Sequence, residues 1–333
     1  MRAILTPASS LFGFIVSRRN RKFDRAISER NTAIVRSTLL PALSVGNLTV
    51  GGTGKTPMAA WCVQRLLKSG AKPSVVLRGY GDDEWRVHTL LNRNVPVIVA
   101  PDRLNGIALA KTRGSNCVVL DDAFQHRQAA RAADLVLVSA DRWTGAARLL
   151  PSGPFREPLT SLRRANVVVI TAKAATGEQI SALETAVLAA APKSEIAVVR
   201  LTLGTLHLAA TLPRIEADGS MKAQKVDNSG MLDRSITWLS GRKIVAVSAI
   251  GDPSAFRMQL EAVGANVTVE RFPDHHTFSP SDAAKIARNA HSADGVVCTL
   301  KDAVKLASIW PRVAPPLWYV SQSVVVERGA AAL

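Results

Sequence analysis

The chain has 333 residues, enough for two domains, since single cores usually stop growing near ~250–300 residues. Its 47% hydrophobic and 20% charged content describes a globular chain and excludes a disordered one. A formal net charge of +16 asks for an anionic partner such as nucleic acid, an anionic lipid surface or a phosphorylated substrate, and the 5% aromatic content argues against a stacking platform for single strands.

Residues 1–40 read as mainly helical. The apolar run 11–16 is far shorter than the ~20 residues of a membrane span, and Arg18, Arg19, Arg21, Lys22 and Arg25 follow at once. No small-residue cleavage site is evident, which speaks against a signal peptide. An apolar patch followed by a basic one suits a helix lying on an anionic leaflet; a helix packed on the body is the other reading. Apolar runs at 42–45, 73–77, 95–100, 116–120 and 135–138 alternate with helical stretches, the pattern of a parallel sheet covered on both faces. A proline-rich connection, 150–158, precedes a strand at 167–171 and a helix at 178–191. Residues 196–212 alternate like a β-ribbon, and 218–233 read as a mobile polar loop. A second βα series begins at 243–250 and continues through 267–271, a helix at 281–290 and a strand at 295–299. Cys62, Cys117 and Cys298 lie far apart without metal spacing and read as reduced core thiols of a cytosolic protein.

The stretch 42–57, ALSVGNLTVGGTGKTP, passes from buried strand through a glycine-rich loop into a helix, the context of a phosphate-binding loop. Backbone amides of Thr49, Val50, Gly51, Gly52, Thr53 and Gly54, with the positive end of the following helix, would cradle phosphate oxygens. Lys55 would reach the β- and γ-phosphates, and Thr56 would hold Mg²⁺. Thr49 stands where the first glycine of G-x-x-x-x-G-K-[ST] is usual. Asp121 and Asp122, ending an apolar strand, are the expected metal-side partners; capping the next helix is their other reading. Gln125 and His126 follow them, and His126 reads as a residue behind the metal, against the substrate, or simply at the surface.

Asp82, Asp83 and Glu84 follow Arg78-Gly-Tyr-Gly and offer a carboxylate that could take a hydroxyl proton, or a solvated acidic turn. In the segment 273–278, PDHHTF, adjacent histidines lack a nearby third ligand, so a histidine paired with a carboxylate is favoured over a metal site. Lys301 and Lys305, four residues apart, would share a helix face toward a phosphate or toward solvent.

These motifs together resemble one family, the tetraacyldisaccharide 4′-kinases, which are the lipid A 4′-kinases of Gram-negative bacteria. The resemblance rests on 44–57, 78–81 (RGYG), 121–126 (DDAFQH), 150–158 (LPSGPFREP), 272–276 (FPDHH) and 301–305 (KDAVK), in that order. It implies an α/β fold: a P-loop NTPase-like parallel-sheet lobe plus a second, smaller α/β lobe, joined by a β-ribbon hinge. The expected division is an N-terminal membrane-interface segment at 1–40, an ATP-binding lobe at 41–160 and a second lobe with the hinge at 161–333. It also implies ATP and Mg²⁺ as cofactors, with Thr56, Asp121 and Asp122 on the metal and Lys55 on the phosphates. Asp83, or Asp82, paired with His275 would be the base. The acceptor would be an acylated glucosamine disaccharide 1-phosphate, the product lipid IVA, and the enzyme a monomer at the cytoplasmic face of the inner membrane with no nucleic-acid partner. Two other classes stay on the page. A GTP-driven metal-insertion or cofactor-synthesis protein would need an Asn/Thr-Lys-x-Asp motif, and 171–174 (TAKA) lacks the aspartate. A basic peripheral module with a vestigial nucleotide site explains the charge but not the ordered acid and histidine motifs.

Overall fold

The structure, a computed structural model, describes residues 6–79, 83–215, 221–222 and 233–333. Asp82 and most of the polar 218–233 stretch therefore lie outside the described residues. The chain divides into two compact units: unit 1 comprises Met1–Gly79, Asn92–Arg200 and Val324–Leu333, and unit 2 comprises Tyr80–Leu91 and Leu201–Ser323. Residues 161–200, which the sequence assigns to the second lobe, thus cluster with unit 1, and 83–91 with unit 2.

In chain order, the elements begin with α1 (Thr6–Ser28), β1 (Ala42–Asn47), α2 (Lys55–Lys68), β2 (Pro73–Leu77) and α3 (Asp83–Leu91). Then come β3 (Val97–Val99), α4 (Arg103–Thr112), β4 (Cys117–Asp121), β5 (Ala133–Ser139), β6 (Val167–Ala172), α5 (Gly177–Ala190) and β7 (Glu195–Leu208). The short pair β8 (Arg214–Ile215) and β9 (Met221–Lys222) precedes β10 (Lys243–Ser248), α6 (Pro253–Ala262) and β11 (Asn266–Arg271). The chain closes with α7 (Pro280–Asn289), β12 (Gly295–Thr299), α8 (Leu300–Leu306) and β13 (Leu317–Arg328). Strands β7 and β13 each start in one unit and finish in the other, and are the ribbon that joins them.

Unit 1 is a parallel sheet in the order β7-β6-β5-β1-β4-β2-β3. Its strands are nearly continuous apolar runs because helices cover both faces; β2 and β6 are buried at every position. The β1–β4 register pairs Val45 with Asp121, so the strand ends carrying the glycine loop and the aspartates emerge side by side. Phe155 is buried in the core with Leu48, Phe124, Val138 and Ile170. Burying such a ring contributes roughly 1.5–3 kcal/mol and pins the 150–158 connection against the loop. Gly46 is required at this contact: a Cβ there would lie 2.6 Å from Phe124 Cβ.

Unit 2 carries β11-β10-β12-β13 in parallel, and β8 with β9 antiparallel. One face buries Val245, Val247, Ile286, Cys298 and Leu306, with Leu90 of α3 packed against them. The other face buries Phe256, Leu260 and Trp318.

Helix starts are set by side-chain caps. Asp102, Thr176, Asp252, Ser279 and Thr299 cap α4, α5, α6, α7 and α8. Helix α2 differs: its N-cap is Gly54, in the left-handed region at φ 86°, with no side-chain hydrogen bond. Its first amides are thereby left to an outside acceptor.

Helix α1 is two-faced. It packs on unit 1 through Val16, Phe23 and Ala26, while Leu11, Phe14 and Ile15 are 62%, 58% and 56% exposed. Arg18, Arg21, Lys22 and Arg25 are exposed beside them. No helix among the described residues is long and apolar enough to cross a membrane.

Candidate active site

The loop between β1 and α2 is clasped on two sides. The Val50 amide donates to Pro154 O at 2.9 Å, and the Arg156 amide to Leu48 O at 2.7 Å. On the other side Thr171 Oγ1 donates to Thr53 O and Lys173 Nζ to Gly52 O, both at 3.0 Å. Inside the loop Asn47 Nδ2 donates to Thr53 Oγ1 at 2.8 Å. Gly51 stands at φ +87°, where a side chain would be strained and would run into the Arg142 guanidinium. With its carbonyls occupied by these donors, the loop is held open for an anion at the amides of α2.

Charge is arranged to match. Lys55, the first residue of α2, lies 3.8 Å from Asp122 Oδ1. Arg156 Nη1 donates to both Asp122 oxygens, at 3.1 and 3.2 Å. Asp122 itself adopts φ 50°, unusual for a residue with a side chain and frequent at functional sites. Asp121 is buried beside it, and Thr56 is half-buried one residue beyond Lys55. Asp121, Asp122 and Thr56 are oxygen donors of the kind magnesium takes while keeping several waters. His126 follows on the same loop, its pKa held below the usual imidazole value by burial first and by the nearby Arg103 next.

Unit 2 gathers the other candidates. Asp83 opens α3 as its first residue, and its side chain is 4% exposed. Its Oδ1 is 3.8 Å from His275 Nδ1. Its Oδ2 is 3.7 Å from Lys301 Nζ and 3.6 Å from Lys305 Nζ. A buried carboxylate is costly without such cations. His275 is the second non-glycine residue of interest with a left-handed backbone, at φ 62°. The adjacent histidines part company: His276 Nε2 meets Asp282 at 3.2 Å and its ring sits between Phe272 and Phe278. The sequence reading had left Asp83 as either a reactive carboxylate or a solvated turn; its burial among lysines rejects the solvated turn.

Three residues near the loop escaped the sequence reading: Arg156, Lys173 and Arg142. Arg156 was quoted only as part of a motif, and Lys173 only as part of a failed guanine motif. Their position at the ends of a proline-rich connection and of two apolar strands is the signal that could have found them.

A loop shaped to grip a phosphate chain at an uncapped helix start defines unit 1 as a phosphate-loop nucleotide-binding lobe. Comparison with known proteins narrows the class. The family profile described as tetraacyldisaccharide-1-P 4′-kinase matches residues 1–91 and 87–333. The chain is 33% identical over 351 residues to the tetraacyldisaccharide 4′-kinase of Syntrophus aciditrophicus, covering 96% of this chain and 88% of that one. It is 31% identical to that of Bradyrhizobium diazoefficiens over 324 residues, covering 91% and 82%. A crystal structure described as the "apo" form of LpxK from Aquifex aeolicus in complex with ATP superposes with a TM-score of 0.69 at 25% identity, covering 98% of this chain and 95% of that chain. The chain belongs to the tetraacyldisaccharide-1-P 4′-kinase family.

Proposed function

We propose that this protein transfers the γ-phosphoryl group of ATP to the 4′-hydroxyl of a tetraacylated glucosamine disaccharide 1-phosphate, forming lipid IVA. The observation that carries the reading is the uncapped start of α2 at Gly54, with Lys55 and Arg156 converging on Asp122, in a chain of this family. An ATP complex of a similar chain supports the nucleotide.

The residues divide the work. The amides of Gly51, Gly52 and Gly54 to Thr56 and the Lys55 ammonium hold the phosphates, the Thr53 amide being spent on Gly51 O, and pre-aimed donors of this kind stabilise charge that grows in the transition state. Asp121, Asp122 and Thr56 would hold magnesium, which when bound neutralises phosphate charge. Lys55 and Arg156 both pair with Asp122, so the same two cations could turn to phosphate oxygens while the Asp122 carboxylate would serve magnesium. In unit 2, Asp83 accepts the proton of the attacking hydroxyl, with His275 beside it. Thr171 and Lys173, in the segment that lacks the aspartate of a guanine-reading motif, are turned onto loop carbonyls, which favours ATP over the GTP-driven alternative.

The acceptor is a lipid, and moving its chains into water costs about 0.8 kcal/mol per CH₂. We infer that the enzyme meets it at an anionic membrane surface through the exposed face of α1, at the cytoplasmic side of the inner membrane.

The test is phosphoryl transfer from labelled ATP to the tetraacyl disaccharide 1-phosphate. The wild type is expected to label the lipid, and Asp83→Asn to lose about 10²–10⁴-fold in kcat. No labelling by the wild type overturns the substrate; an unimpaired Asp83→Asn overturns the base.

A further inference from the structure

The environment of His275 contains a cation that the reaction as described does not use. Lys301 Nζ lies 3.3 Å from His275 Nε2. An ammonium can only donate, so this contact requires a lone pair on Nε2. A neutral imidazole has one lone pair and one N–H; the proton is then on Nδ1, the nitrogen that faces Asp83 Oδ1 at 3.8 Å. Asp274 Oδ1 stands 4.0 Å from Nε2, beyond hydrogen-bond reach. Lys305 does not compete for the ring, because its Nζ donates to His276 O at 3.0 Å and lies 3.7 Å from Asp302.

Both partners are tied to one residue, Ala249. The His275 amide donates to Ala249 O at 3.2 Å. The Ala249 amide donates to the buried Asp302 Oδ1 at 3.3 Å, one residue beyond Lys301 on α8. The ring and the ammonium are thus referenced to the same point at the end of β10.

We propose that Lys301 is a positioning residue that sets the tautomer of His275, keeping the proton on Nδ1 so that the ring donates toward Asp83. The proposal rests on Asp83 and His275 being the proton-accepting pair. With Lys301 removed, the carboxylate of Asp274, 4.0 Å from Nε2, favours a proton there and turns the Nδ1 lone pair against the Asp83 carboxylate. Asp83 then keeps Lys305 at Oδ2 but loses the imidazole N–H that faces Oδ1.

The experiment compares wild type with Lys301→Met, Lys301→Arg, Lys301→Met combined with His275→Asn, and the single variants Asp83→Asn and His275→Asn. The imidazole ¹⁵N and ¹³Cδ2 signals of His275, assigned by their loss in His275→Asn, are recorded above the ordinary imidazole pKa of about 6.5. Wild type is expected to show the Nδ1–H tautomer and Lys301→Met the Nε2–H tautomer. Lys301→Met is expected to lower kcat about 10–100-fold with the KM for ATP unchanged. Lys301→Arg, which also can only donate, restores most of it. Lys301 also lies 3.7 Å from Asp83 Oδ2, so Lys301→Met is expected to cost clearly less in the His275→Asn background than in the wild type, and an equal loss in both backgrounds overturns the tautomer role in favour of direct pairing with Asp83. Lys301→Ala serves the same comparison should the methionine variant not fold. If Asp83→Asn and His275→Asn abolish transfer while Lys301→Met keeps the wild-type tautomer and kcat, the assignment to Lys301 is overturned and the pair stands. If Asp83→Asn transfers at the wild-type rate, the pair is overturned, and the ring signals of Lys301→Met still decide whether the lysine sets the tautomer.

Discussion

The Asn20 amide, on the buried side of α1, donates to Glu157 Oε2 at 2.7 Å. Glu157 is buried, shares that oxygen with Arg164 at 2.8 Å, and directly follows Arg156, which holds Asp122. A surface helix is therefore tied by this hydrogen bond to the segment that clasps the phosphate-binding loop. Asn20→Leu removes a donor from a buried carboxylate and is expected to cost about 1–3 kcal/mol, read as a lower urea midpoint. Asn20→Asp, of the same shape, sets two carboxylates against each other and should lower the midpoint further at neutral pH.

The second prediction concerns the loop. Gly54 sits at φ 86°, where an alanine costs roughly 1–2 kcal/mol. Gly54→Ala should weaken nucleotide binding by calorimetry while unit 2 stays folded. Lys55→Met keeps the backbone and removes the charge; its kcat should fall about 10²–10³-fold, in line with the loss of one aimed donor.

Vesicle binding tests α1. Leu11→Asp with Phe14→Asp places carboxylates on its exposed apolar face, and co-sedimentation with phosphatidylglycerol vesicles should be lost. Neutralising Arg18, Arg21 or Lys22 to Gln should weaken binding about fivefold per charge, at about 1 kcal/mol each, and the difference should shrink in high salt. Transfer to a detergent-dispersed acceptor should be affected far less.

Acid should loosen the start of α7. The Asp282 carboxyl is brought from the usual 3.8 to about 2 by hydrogen bonds from Ser279, backbone first and hydroxyl next, and then from His276. A depressed carboxyl pKa stabilises the fold above its unfolded value and stops doing so as pH falls through the folded one. The advantage of wild type over Asp282→Asn should be full above pH 3.8 and vanish as the pH passes about 2; urea titrations across that range check it.

The parts that were readable from sequence are those set by local rules. Glycine spacing, the apolar runs and Pro57 in a first helical turn announced the loop and its helix, because each acts within a few residues. Asp122 was readable because a strand end in an open parallel sheet faces the ligand side. The pairing of Arg156 with Asp122 was not, since it joins residues 34 apart that meet only when Phe155 enters the core. Asp83 was legible as a residue type but not as a buried one; its burial depends on α3 lying against α8, more than 200 positions later in the chain. The division by contacts differs from the expected lobes for a related reason. The proline-rich stretch 150–158 looks like a linker, yet it clasps the loop, and β6 continues the same sheet through its pairing with β5.

Helix α3 reaches unit 2 as an excursion, leaving unit 1 after β2 and returning before β3. Neither lobe is therefore encoded by one uninterrupted stretch. A fragment cut at residues 200 and 201 would carry His275, Lys301 and Lys305 without Asp83, the carboxylate that all three approach. Splitting, swapping or permuting this protein by its midpoint would separate a buried carboxylate from its cations; a viable graft must carry residues 80–91 along with 201–323.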